Sequence, residues 1–154
     1  MFLAFIFVYK IYLIRVAKKF SLFCNWRQMD NFFFKHYFLF ARYIHLLRKG
    51  KNISQRLIEK VSLLEEEHKE KEKHHYEYWH GKNMPKECLE EMLCGWMAMA
   101  MLARANPIQY AKDCIEESSI NIFSKRYLLN KIQVKGNFTK KKNISYNLGR
   151  YIWN

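Results

Sequence analysis

What this 154-residue sequence lacks narrows its chemistry before anything it contains does. It has no glycine-rich phosphate loop, no nucleophile elbow, no Cys-x-x-Cys pair and no His-Glu-x-x-His zinc helix, so none of the catalytic classes those motifs announce competes for it. Its four cysteines, Cys24, Cys88, Cys94 and Cys114, have no metal-knuckle spacing, and Cys88 and Cys94 lie six apart on one expected helix, facing different ways. Reduced, buried thiols in a cytoplasmic protein are the economical expectation.

Long apolar runs are also missing. Residues 1–9 are almost wholly apolar, but Lys10 and Arg15 interrupt the stretch before it reaches the roughly 20 residues that span a bilayer. A secretory signal places its positive charge ahead of the apolar run, whereas here Lys10, Arg15, Lys18 and Lys19 follow it. The segment is expected either to pack into the core or to make peripheral contact with a membrane, its basic flank on the cytoplasmic side.

Negative charge is scarce except in the middle. Residues 1–60 hold 12 Lys and Arg against Asp30 and Glu59, residues 61–130 hold 9 against 12 acidic side chains, and residues 131–154 hold 6 against none. The chain's net +13 is therefore +10, −3 and +6 in order along its length. Basic ends can meet nucleic acid or an anionic surface. No recognisable binding motif accompanies them, and their Phe, Tyr, Ile, Asn and Lys are what an AT-rich coding sequence supplies; nucleic acid is not the expected partner.

What is present is helical. No stretch shows convincing strand alternation, and a half-hydrophobic chain of this length supports one domain with a true core. The spacing predicts an all-α, single-domain bundle in three parts: an apolar and basic segment over 1–30, a helical domain over 31–130, and a loosely ordered basic tail over 131–154. Within the domain, a helix over 31–49 has Asp30 or Asn31 to cap it and Gly50 to stop it. A second starts after Ser54 and runs through the charged stretch 65–73 to Trp79 or His80. A third covers 85–104, opened by Pro85, with Leu89, Met92, Leu93, Trp96, Met99, Ala100 and Ala103 as its buried set. Asn106 and Pro107 repeat the cap-and-proline signal for a helix to about Glu117, and Ser118 or Ser119 starts a last one reaching Asn130. The methionines Met92, Met97, Met99 and Met101 read most simply as core filling, with a soft ligand or an adaptable groove as the alternative.

The chemistry-bearing segment is His74, His75, Tyr76, Glu77, Tyr78 and Trp79, followed by the carboxylates of the 85–104 helix. Paired histidines, a carboxylate and aromatics are what a metal or acid/base site is built from, and equally what a hydrogen-bonded pair beside a packed aromatic face looks like. On a continuous helix His68, Glu72, His75 and Trp79 share one stripe, while His74 falls with Glu67, Lys71 and Tyr78. Seven residues separate His68 from His75, about 10 Å along the axis, too far for one ion. Direct shared ligation is then excluded, and a dinuclear site or ligands from other helices, such as His36 and His45, are needed. Imidazole and carboxylate together suit Mn, Fe, Mg or Zn.

The stretch from Glu65 to Tyr110 resembles an uncharacterised bacterial and phage family, a domain of unknown function. The resemblance is carried by His74, His75, Tyr76, Glu77, Tyr78 and Trp79, by Met84 and Pro85, by Glu91, Met92, Leu93, Cys94, Gly95 and Trp96, and by Asn106, Pro107, Ile108, Gln109 and Tyr110. That family is similar in turn to the HD metal-dependent phosphohydrolases. What the resemblance implies is an all-helical metal-assisted hydrolase acting on a phosphorylated small molecule, with His68, His74 and His75 as metal ligands, Glu91 as acidic ligand or base, and Tyr78 and Trp79 walling the pocket. The chain departs from the pattern at Gly95, where the family has Asp, at Glu67, where it has a His, and over residues 1–60, which lack its upstream His-Asp-x-Ser-Lys element. Gly95 also costs the helix about 1 kcal/mol relative to Ala. These departures predict an impaired or lost site. The competing expectation is a noncatalytic helical protein that uses its basic ends on a membrane surface or polyanion.

Overall fold

The structure, a computed structural model, describes residues 3–24 and 30–133, and these form an all-α fold. In chain order the helices are α1 (Leu3–Phe20), α2 (Asp30–Arg48), α3 (Gln55–Lys71), a single 3₁₀ turn (Glu77–Trp79), α4 (Lys86–Leu102), α5 (Pro107–Glu117) and α6 (Ile122–Gln133). No strand occurs among the described residues.

α4 is the axis of the molecule. Leu89, Met92, Leu93, Trp96, Met99, Ala100 and Ala103 are all buried as their spacing predicts, and so are Cys94, Met97 and Ala98 between them. From Met92 to Leu102 α4 carries no polar side chain, and a helix segment apolar on every side has to be enclosed. α1, α5 and α6 pack against it, while α2 and α3 pack on each other and send Phe40, Tyr43, Ile44, Leu57 and Val61 into the same core. The methionines at 92, 97 and 99 are core filling; Met101 lies half-buried at the edge. α4 runs unbroken through Gly95.

The amino-terminal segment belongs to this core. Tyr9, Leu13, Val16 and Phe20 recur at helical spacing along α1 and are buried against α4. None of the described helices is long and apolar enough to cross a membrane. Glu90, buried on α4, ties the flanking elements down: it accepts from the Phe23 amide at 2.5 Å, from Lys131 Nζ at 3.0 Å and from the Tyr127 hydroxyl. Burial pushes its carboxyl upward, but these donors outweigh that and hold it below the ordinary value.

Several helix ends follow their local chemistry. Gly50, at φ +59, closes α2, with its amide on Leu47 O at 3.0 Å and that of Lys51 on Leu46 O at 3.1 Å, the Schellman pattern that favours glycine. Asn106 caps α5 through Ile108 N at 3.0 Å and Gln109 N at 3.2 Å, with Pro107 in the first turn. Other ends differ from expectation. Ser54 precedes α3 without a side-chain cap bond, and Pro85 stands at the cap position, so α4 is Lys86–Leu102 rather than 85–104. α6 is capped by Asn121, which accepts from Ser124 N at 2.9 Å, in place of Ser118 or Ser119. Ser118 instead turns its hydroxyl back to Ile115 O at 2.8 Å. α6 continues to Gln133, three residues into the expected tail; the rest of that tail lies outside the described residues.

Candidate metal centre

The decisive local event is the end of α3. Its sequence favours helix through residue 73, yet the helix stops at Lys71 and Glu72 turns extended, at φ −104 and ψ 125. The chain then folds back: Glu72 N donates to His68 O at 3.0 Å, His75 N to Glu72 O at 3.0 Å, and Trp79 N to Tyr76 O at 3.1 Å. The Trp79 indole donates to Lys73 O at 2.8 Å, satisfying a carbonyl just past the helix end. His80 in the left-handed region, at φ 46, and Gly81, at φ +79, turn the chain toward α4. Lys69 and Glu77, 3.8 Å apart, pair α3 with the 3₁₀ turn.

The reversal corrects the expectation that one helix continues to Trp79 or His80. His74 and His75 do not lie on separate stripes, and His75 is not a two-turn climb away from His68. Ring centroids stand 5.1 Å apart for His68 and His74, 4.7 Å for His68 and His75, and 4.4 Å for His74 and His75. One nitrogen from each lies within 4.8 Å of the other two. Ligands held at about 2.1 Å around a tetrahedral ion stand about 3.4 Å apart, so the rings need only close by small rotations to share one.

All three rings are buried, at 6%, 7% and 5% exposure for His68, His74 and His75. Burial pushes His68 down to about 3, aided by His74 and Lys69, and His74 down to about 4. It pushes His75 well below the ordinary value, with His74, His68 and Lys69 adding to the effect. The imidazoles are thus neutral at physiological pH, the form in which histidine offers a lone pair to a metal. Three nitrogen ligands suit a zinc-class transition ion, whereas Mg takes oxygen ligands. The residues fit such an ion.

Among the described residues, none of the other expected residues is a further ligand in this cluster. Among the described residues no carboxylate joins the three histidines. Glu91 on α4 acts electrostatically on Cys24, Cys88 and Cys94. His36 sits half-buried at a kink in α2 and His45 is exposed on the same helix, and neither joins the cluster. Trp79 lines a cleft of about 90 Å³ with Tyr76, Lys82, Met84 and Asn121. Tyr78 stacks edge-on to Trp79, with centroids 5.4 Å apart, and is not among the residues lining that cleft.

The chain belongs to the DUF5662 family, a family of unknown function. Its sequence pattern matches residues 34–135, so the likeness reaches well beyond 65–110 on both sides and takes in the histidine cluster, α4, α5 and nearly all of α2. No curated protein and no solved structure matches the chain.

Within the matched region, sequence reasoning passed over Glu65, a buried carboxyl that burial raises to about 8 against the opposing pull of Lys69. Its charge also acts on buried Tyr110, the tyrosine of the Asn106-to-Tyr110 motif. The signal was available: Leu57, Val61, Glu65 and His68 recur at four, four and three residues and form the buried stripe of α3.

Proposed function

We propose that this family member is a metal-binding helical protein in which His68, His74 and His75 hold one zinc-class divalent ion, and that its chemistry is metal-assisted hydrolysis of a phosphate ester. The observation that carries the metal reading is the fold-back after Lys71, which gathers three neutral nitrogen donors within 4.8 Å of one another. Three protein ligands leave a further coordination position open, as catalytic rather than structural sites do. A bound ion would supply Lewis-acid polarisation of a phosphoryl oxygen and activation of water. The protein's part is to hold the rings neutral and oriented, through burial and the turn's hydrogen bonds.

The hydrolytic part of the reading draws on the resemblance to HD phosphohydrolases. Here the departures count: Gly95 replaces the family's Asp, and Glu91 neighbours the cysteines instead of the histidines. Hydrolysis in this chain is accordingly impaired relative to metal binding.

Elemental analysis of the purified chain beside a His75→Ala variant tests the site. About one equivalent of Zn, Fe or a similar ion in the parent and none in the variant supports it, and turnover of a chromogenic phosphomonoester then tests the reaction. No metal in either protein overturns it.

A second reading, a noncatalytic binding protein that applies its basic ends to an anionic surface, draws on Phe7, exposed on α1, and on Lys18 and Lys19 in the last turn of that helix. Salt-sensitive, chelator-insensitive binding to anionic vesicles would favour it.

A further inference from the structure

Residues 22–24, between α1 and α2, lie along the middle of α4 and are held there at two points one helical turn apart. Glu90 takes the Phe23 amide at 2.5 Å, and the Cys94 sulfur stands 4.0 Å from the Phe23 carbonyl oxygen. Both anchors grip the backbone of one residue, so the next, Cys24, is fixed beside Cys94, and the two thiols hydrogen-bond each other. Cys94 is wholly buried while Cys24 is half-buried. The other thiols are placed differently: Cys88 is earlier on α4, and Cys114 is on α5.

We infer that Cys24 and Cys94 form a redox modification site, a thiol pair that closes to an intramolecular disulfide on reaction with a low-molecular-weight disulfide of the glutathione class. Cys24 is the entry point, because it is the more exposed of the two and the hydrogen bond from Cys94 holds its thiol below the ordinary value, against burial and the charge of Glu91. Its thiolate attacks one sulfur of the small disulfide; that S–S bond breaks, one small thiolate leaves, and a mixed disulfide remains on Cys24. Cys94 then gives up its proton to the departed thiolate or to water, and its sulfur attacks the Cys24 sulfur and expels the second small thiol.

The balance is two protein thiols and one small disulfide converted to one protein disulfide and two small thiols. Before the first step, Cys94 is held protonated chiefly by its bond to Cys24. Once Cys24 is a neutral mixed disulfide that hold is gone, so the first step releases the second. The product staples the segment before α2 to the centre of α4, and it does not involve the histidines.

The full-length chain is incubated with oxidised glutathione, quenched with an alkylating agent, and read by intact mass and peptide mapping, with Cys24→Ser and Cys94→Ala variants alongside. The expected product is a parent chain without glutathione adduct, crosslinked between Cys24 and Cys94, with Cys88 and Cys114 alkylated and a raised Tm. The Cys94→Ala variant should stop at a persistent adduct on Cys24, and Cys24→Ser, which leaves the core thiol in place, should form no crosslink. A stable Cys24 adduct in the parent, or a crosslink to Cys88 or Cys114, would overturn the inference.

Discussion

α4 and the turn that feeds it bury side chains by opposite means. Along α4 burial is apolar, from Leu89 through Leu102, and enclosure on all sides is itself the stabilising contribution. In the turn, burial falls on His74 and His75, packed against His68, and there desolvation works against the charged form of each ring. The first region is a structural element that happens to contain polar groups. The second keeps three nitrogen donors neutral at the cost of pH sensitivity, which is a difference between a core and a site.

Truncating the core should have the largest effect. Leu93→Ala, at a fully buried position, is expected to cost about 2–5 kcal/mol in denaturant unfolding, while leaving the metal bound per folded chain unchanged. Loss of metal in proportion to lost stability would erase the distinction between the two regions.

Next comes the metal itself. Adding zinc at about 100 times its Kd should raise the parent's stability by about 2.7 kcal/mol, read as an increase in Tm. In His75→Ala this metal-dependent increase should vanish, whatever the variant's metal-free Tm. An equal increase in both proteins would place the ion elsewhere.

The pH profile of the metal-free protein sharpens the contrast. His68 and His74 sit at about 3 and about 4 in the fold, below their unfolded value of 6.5, so the unfolded chain binds more protons. Stability is therefore present above pH 6.5 and falls as pH drops toward 4 and 3, by about 1.4 kcal/mol per pH unit for each fully engaged histidine. Glu65, raised from 4.5 to about 8, acts in the other sense: the fold holds its proton, and stability falls as pH rises from 4.5 to 8. Between 4.5 and 6.5 the histidines outnumber it, and above 6.5 it acts without them. Urea midpoints should thus peak near pH 6.5, and Glu65→Gln should flatten the alkaline limb and steepen the acid limb between 4.5 and 6.5. An acid limb between pH 4.5 and 6.5 that survives replacement of His68, His74 and His75 together would sink this assignment.

The smallest effect lies outside both regions. Asn106→Ala removes the α5 cap and should cost about 1 kcal/mol, with metal content unaffected; a drop in metal would mean that α5 supports the site directly.

Much of the fold was legible because its signals are local. Pro107 behind Asn106 marks α5, Gly50 supplies the positive φ that ends α2, and the apolar spacing from Leu89 to Ala103 marks the face that α4 buries. The same logic misread the end of α3. Residues 65–73 are good helix formers, and propensity is a weak preference beside the burial of three rings and the indole bond from Trp79 to Lys73. Neighbouring stripes on a continuous helix separate His74 from His75; a chain that reverses after Lys71 does not.

By itself, then, the sequence determined that the chain is helical, where α2 ends, where α5 begins and ends, and which face α4 buries, since caps, proline positions and apolar period depend on residues a few places apart. Only the tertiary structure decided that α1 completes the core, that Cys24 meets Cys94 across 70 residues of chain, and that His68, His74 and His75 converge on one point. Those outcomes depend on where distant segments are brought together, and packing energy settles that against local preference.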